Sequence, residues 1–112
     1  MAVVDRLLAA GCVAAEEEAA ALRGAAPDEA TLEVWVRRRE QGEPLAWVTG
    51  SLQFCGRSLR VDPGVYVPRV HSEELARRAA ALLPAEGRAV DLCTGTGAVA
   101  AHLSAGVPTA NV

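Results

Sequence analysis

Apolar residues recur three and four positions apart up to about residue 40 and then alternate with polar ones, so a helical region is expected to hand over to a hairpin. Val3 to Ala10 reads as a short helix stopped at Gly11, and Ala14 to Arg23 as a second helix closed by Gly24, because glycine readily takes the left-handed conformation of a helix end. The second helix carries Glu16, Glu17 and Glu18 in its first turn and Arg23 in its last. That is the order a helix dipole favours, so the acidic run is read as capping. Pro27 and Asp28 open a third helix, in which Leu32, Trp35, Val36 and the aliphatic stem of Arg39 share a face expected to be buried. Arg37, Arg38 and Arg39 fall in its last turns, where cations complement the dipole, and this is preferred over a phosphate-binding patch.

From Gly42 the pattern changes. EPLAWVTG is a short turn-like or helical link, and SLQFCGRSLRV alternates on both sides of Gly56. Leu52 and Phe54 share one face of the first strand and Leu59 and Val61 one face of the second, with Gly56-Arg57 expected as the tight reversal. Asp62-Pro63-Gly64 makes a further turn, and Val65 to Val67 a short strand ending at Pro68. Ser72 is expected to cap a helix with Glu73 and Glu74 in its first turn; its apolar face is Leu75, Ala79, Leu82 and Leu83, and Pro84 is its stop. RAVDLC is then a short apolar strand, TGTG a glycine loop, AVAAHLSAG a helix ending at Gly106, and GVPTANV the approach to a second parallel strand.

The expected class is α/β, with a helical domain over residues 1–42, a linker and β-hairpin over 43–70, and the strand, loop and helix that open a truncated Rossmann-like domain over 71–112. A parallel sheet cut at Val112 leaves amides unpaired, which predicts self-association through its edge.

Composition narrows the chemistry. Hydrophobic residues make up 51% of the 112 positions but aromatics only 4%, so the core must be built from Ala, Val and Leu. A formal net charge of -3 gives no basis for nucleic-acid binding and points to small molecules or proteins as partners. Cys12, Cys55 and Cys93 form no C-x-x-C pair, so neither a disulfide framework nor a metal site is indicated and a reducing cytoplasm fits best. The opening MAVVDRLLAAG is too short for a signal peptide or a membrane span.

The most informative stretch is Asp91-Leu92-Cys93-Thr94-Gly95-Thr96-Gly97, between an expected strand and an expected helix. Glycines let a backbone approach a ligand, the helix start offers free N–H groups, and an acid at the strand end can hold a cationic ligand. S-adenosylmethionine, with its amino and sulfonium charges, is such a ligand. Gly95-Thr96-Gly97-Ala98-Val99-Ala100 also fits the dinucleotide pattern G-x-G-x-x-G/A, whose pyrophosphate an adjacent carboxylate would repel. A strand-turn-helix with a purely structural Asp91 is the third reading.

Upstream, GEPLAWVTGSLQFCGRSLRVDPGVYVPR resembles the linker and hairpin of the protein-(glutamine N5) methyltransferases, the HemK/PrmC family, and the resemblance extends over about Gly42 to Gly106. The family's Pro-Arg-Pro-Glu-Thr-Glu motif reads Pro68-Arg69-Val70-His71-Ser72-Glu73 here, and its Asp-Leu-Gly-Thr-Gly-Ser-Gly loop reads Asp91-Leu92-Cys93-Thr94-Gly95-Thr96-Gly97. Val70, His71 and Cys93 depart from the pattern, and the helical region before Gly42 is short for the family. The combination looks closest to an actinobacterial-type branch of unknown substrate.

The resemblance implies N5-methylation of a glutamine side chain in a protein, with a peptide chain release factor as one candidate substrate. It implies S-adenosylmethionine as cofactor, held by Asp91, Cys93, Thr94, Gly95, Thr96 and Gly97, with Pro68 and Arg69 beside the cofactor or substrate. The family's Asn-Pro-Pro-Tyr loop, which positions the acceptor nitrogen, does not occur in these residues, so the chain alone is expected to be inactive. A protein-docking role for the helical part and hairpin is the reading from another class. His71 is read as a solvated residue before a helix and Cys93 as a small hydrophobe rather than a nucleophile.

Overall fold

Four helices, α1 (Val3–Ala9), α2 (Ala15–Ala25), α3 (Glu29–Glu40) and α4 (Leu45–Thr49), make up the first of two units in the computed structural model, which describes residues 1–112 and divides into 1–50 and 51–112. α1 stops as expected: Gly11 takes φ +91°, and its N–H and that of Cys12 donate back to the carbonyls of Leu8 and Leu7. α2 does not stop at Gly24 but runs through it to Ala25. The terminator is Pro27, whose ring disfavours helical backbone at Ala26, and Ala26 is indeed extended at ψ 129°. Asp28 starts α3, its Oδ1 accepting from the Thr31 N–H at 2.7 Å. The link after Gly42 resolves as the helix α4, ended by Gly50 in the left-handed region.

The core of this unit gathers Leu7, Leu22 and Val36, all fully buried, with Val3, Cys12, Ala15, Ala19, Leu32 and Val48 around them. Trp35 packs partly buried against it, so the expected α3 face is observed. Arg39 contributes more than its stem, because its guanidinium pairs with Glu18 of α2 at 2.8 Å. Arg37, Arg38 and Arg39 lie in the last turn of α3 as expected, and Arg37 and Arg38 also pair with Glu33 and Glu43.

The second unit opens with a hairpin of β1 (Ser51–Phe54) and β2 (Arg57–Arg60), antiparallel, with Leu52 opposite Leu59 and Phe54 opposite Arg57. Its two-residue loop is therefore Cys55-Gly56, not Gly56-Arg57. Both loop residues have positive φ, 49° and 74°, the geometry of a type I′ turn, whose twist matches that of the strands. Leu52, Phe54 and Leu59 share a face as expected, and Phe54 is almost fully buried. The next turn is closed by the Val65 N–H donating to the Asp62 carbonyl, with Gly64 at φ +86°. Residues 65–67 form no strand, since the sheet consists of β1 and β2 only.

Helix α5 (His71–Leu82) begins before Ser72, which makes no capping bond: the Arg69 and Val70 carbonyls already accept from the Ser72 and Glu73 N–H groups. Its packing face is also turned from the expected one. Ala76 is buried and Ala79 and Ala80 half-buried, while Leu75 and Leu82 are exposed at 62% and 83%. Contact with α6 (Ala98–Gly106) runs through small residues, which allow the two backbones to approach closely. Residues 88–93 do not form a full strand. They make a single parallel rung between Arg88 and Asn111, with the Ala89 N–H donating to the Asn111 carbonyl and the Asn111 N–H to the Gly87 carbonyl. No helix is long and apolar enough to cross a membrane.

Candidate functional site

Between that rung and α6, the chain passes through the left-handed region at every second residue: Cys93 at φ 56°, Gly95 at 57° and Gly97 at 79°. Glycine accepts this conformation freely, whereas Cys93 adopts it against the clash of its own Cβ. The turn is built around Asp91. Its Oδ2 accepts from the Thr94 hydroxyl at 2.7 Å and from the Ala100 N–H at 3.2 Å, while the Gly97 N–H donates to the Thr94 carbonyl at 2.9 Å. Ala100 lies in the first turn of α6, where N–H groups lack intrahelical partners, so Asp91 caps that helix from outside and complements its dipole. Both bonds fall on Oδ2, leaving Oδ1 for another donor.

The loop forms one wall of a cavity of about 390 Å³. Asp91, Cys93, Thr94, Gly95 and Thr96 line it together with Ala98 and Val99 at the start of α6. The rest of its lining comes from Phe54 of the hairpin, Tyr66 and Pro68 of the connecting segment, and Ser72 of α5. The Thr96 hydroxyl is buried without a hydrogen-bond partner, an arrangement proteins normally avoid unless a ligand or water completes it. A second, more open cleft of about 400 Å³ adjoins Gly95 and Thr96 from the side of Arg60 and Asp62, which pair at 2.9 Å.

Of the residues singled out from sequence, the structure thus gathers Asp91, Cys93, Thr94, Gly95, Thr96 and Pro68 around one cavity, with Gly97 initiating α6 behind it. Arg69 and His71 are exposed and do not line it. Sequence reasoning missed Tyr66 and Ser72 as wall residues, and took Phe54 only as a hairpin residue. The one available signal was that Tyr66 and Phe54 are the chain's single Tyr and single Phe. It also missed Glu73, whose carboxylate accepts from the Cys55 N–H at 2.8 Å. Burial pushes the Cys55 thiol above its usual range, so it is a poor nucleophile at neutral pH.

No family model matches the chain. Individual proteins do. The release factor glutamine methyltransferase of Vibrio cholerae is 42% identical over 89 residues, 77% of this chain and 30% of that protein. That of Streptomyces coelicolor is 43% identical over 81 residues, 69% of this chain and 29% of that protein. The 4-amino-L-phenylalanine/4-methylamino-L-phenylalanine methyltransferase of Streptomyces pristinaespiralis is 40% identical over 85 residues, covering 70% and 29%. The chain therefore spans about three tenths of the length of the curated relatives it matches. Similarity over most of its own length, together with a carboxylate-centred glycine loop at the wall of a cavity, assigns the chain to the protein-(glutamine N5) methyltransferase family, HemK/PrmC.

Proposed function

We propose that the chain supplies the helical substrate-recognition part, the hairpin and the front of the S-adenosylmethionine site of a cytoplasmic protein-glutamine N5-methyltransferase, with a release factor as methyl acceptor. The observation that carries this reading is the Asp91 carboxylate set inside a loop of three left-handed residues at the edge of an apolar cavity. Four features fit the cofactor. The cavity volume lies within the range of about 300–1,000 Å³ usual for small-molecule pockets. Phe54 and Tyr66 put aromatic residues in its lining, the Thr96 hydroxyl is buried and unpartnered, and Asp91 offers a negative charge to a cation. A pyrophosphate would meet that same charge as repulsion, so the dinucleotide reading is disfavoured. The parallel rung at Arg88 and Asn111, joined across α6, supports a Rossmann-like beginning to this unit.

When bound, S-adenosylmethionine supplies an electrophilic methyl group on a sulfonium. In this reading Asp91 anchors the cationic end while holding the start of α6 in place. The backbone of residues 93–97 approaches closely because no bulky side chain intervenes there, and Phe54, Tyr66 and Pro68 exclude water and orient the ligand. Holding the acceptor nitrogen in line is the part assigned to an Asn-Pro-Pro-Tyr loop, which these residues do not contain. The 112-residue chain by itself is therefore expected to bind the cofactor weakly and to transfer no methyl groups. The match to the Streptomyces pristinaespiralis protein supports a second acceptor class, an aromatic amine, since the front segment is common to both kinds of relative.

NMR titration with S-adenosylhomocysteine tests the site. In the unaltered chain, shifts are expected at residues 93–98 and at Phe54. Asp91→Asn keeps an oxygen that can accept from the Ala100 N–H but loses the charge, and should weaken binding about tenfold or more. Equal affinity in this variant, or tighter binding of a nicotinamide dinucleotide, would overturn the assignment.

A further inference from the structure

The type I′ turn at the hairpin tip leaves the Cys55 amide outside the ladder between β1 and β2, because the flanking pair is Phe54 with Arg57. That amide is not left to solvent. It donates to Glu73 Oε2 at 2.8 Å, and the Cys55 thiol lies 3.7 Å from the Glu73 carbonyl oxygen. The Glu73 side chain is only 18% exposed, and Arg77, one turn further along α5, reaches the same Oε2 at 3.3 Å. Phe54, immediately before Cys55, packs with Ala76 and Ala98 and forms part of the cavity wall. A hairpin with four-residue strands is marginal without packing, so a charge-assisted bond at its tip has a large influence on where the adjacent ring sits.

We infer that Glu73 is a positioning residue: it fastens the hairpin tip to the first turn of α5 and thereby sets Phe54 as a wall of the ligand cavity. The functional half of this inference rests on the cofactor reading above, whereas the fastening itself does not. Glu73 closes the 68–73 motif, and its work lies in accepting a backbone N–H rather than in touching the ligand.

The test uses Glu73→Ala and Glu73→Gln in the full 112-residue chain. Amide exchange at Cys55 and the Phe54 ring resonances are followed by NMR, and S-adenosylhomocysteine is then titrated as the probe. Alanine removes the acceptor and should speed Cys55 exchange about tenfold or more, with a several-fold loss of probe affinity, while exchange in residues 1–50 stays unchanged. Glutamine retains a carbonyl oxygen and should restore most of both; if alanine unfolds the hairpin outright, the glutamine variant still carries the test. Unchanged Cys55 exchange in Glu73→Ala, or a Glu73→Gln variant as impaired as alanine, overturns the fastening. Altered Cys55 exchange with unaltered probe affinity overturns the link to the cavity. If the unmutated chain shows no shifts on titration, the cofactor reading falls and the functional half with it, and Cys55 exchange alone decides the fastening.

Discussion

In the helical unit, charged side chains join elements far apart in sequence: Arg6 of α1 reaches Glu33 and Glu40 of α3 at 2.6 and 2.7 Å, and Arg39 reaches Glu18 of α2. In the unit that follows, the ion pairs are local, namely Arg60 with Asp62, Arg77 with Glu73 and Arg78 with Glu74. Leu7, Leu22 and Val36 are fully buried among the helices and Val61 in the second unit, while Leu8, Val13 and Val34 of the first unit and Leu75, Leu82, Val90 and Leu92 of the second are each more than half exposed. The second unit's buried cluster is Phe54, Ala76 and Ala98, two of the three being alanines. The helical unit is thus held by its own contacts from several directions. The unit that carries the candidate site is built around a cluster of smaller side chains at its hairpin, α5 and α6, with ion pairs that stay local.

The contrast is most sharply tested by truncating one leucine in each unit. Leu22→Ala removes a fully buried side chain and should cost about 2–5 kcal/mol, read as a lowered melting temperature of the helical circular-dichroism signal. Leu82→Ala, at an exposed position, should change stability by no more than about 0.5 kcal/mol. Comparable losses from the two would end the distinction.

A smaller effect is expected from the charge clamp. Hydrogen bonds from Arg6 hold the carboxyls of Glu33 and Glu40 below their ordinary value of 4.5. A carboxyl with a lowered native pKa contributes stability that is complete above its unfolded value and is lost as pH falls through the native one. Thermal melts between neutral and acid pH should therefore show the clamp's contribution disappearing below about 4.5. Arg6→Met should be less stable than the parent at neutral pH, with the gap closing on acidification; a gap independent of pH would show that Arg6 acts through packing alone.

A gain rather than a loss is expected in the glycine loop. Cys93→Gly relieves a left-handed residue, offset in part by the greater freedom of glycine in the unfolded chain, for a net gain of roughly 0.5–1 kcal/mol. Affinity for S-adenosylmethionine should be equal or better, as measured by calorimetry, and a severe loss would mean that the thiol itself contacts the ligand.

Much of this architecture was legible along the chain because it depends on neighbours only a few residues apart. Asp28 as a cap, Gly11 as a stop, the Leu32 and Val36 face, and the shared face of Leu52, Phe54 and Leu59 all follow from local geometry. So did the turn from Asp91 to Gly97 ahead of α6, with its glycines in the left-handed region. The strands expected at 65–67 and over RAVDLC are absent because a strand needs a paired neighbour, and only the Arg88–Asn111 rung is present. Other misjudged points share one cause, a competition that local pattern does not settle. Gly24 permits a helix end, yet the ring of Pro27 imposes it at Ala26. Gly56 suits either position of the reversal, and pairing Leu52 with Leu59 chose the one that puts Cys55 in the left-handed region. Leu75 and Leu82 outweigh Ala76 in hydrophobicity, but close approach of two helices selects the small side chain.

What the amino-acid order determined by itself was therefore the helices, the hairpin and the position of the glycine loop, since backbone preference and hydrophobic period act over a single turn or strand; the strands it also suggested at 65–67 and 88–93 do not form. Tertiary structure decided which glutamates clamp Arg6, which acid holds the Cys55 amide and which aromatic residues line the cavity with Asp91. Those choices depend on residues 18 to 37 positions apart, which only the folded chain brings together.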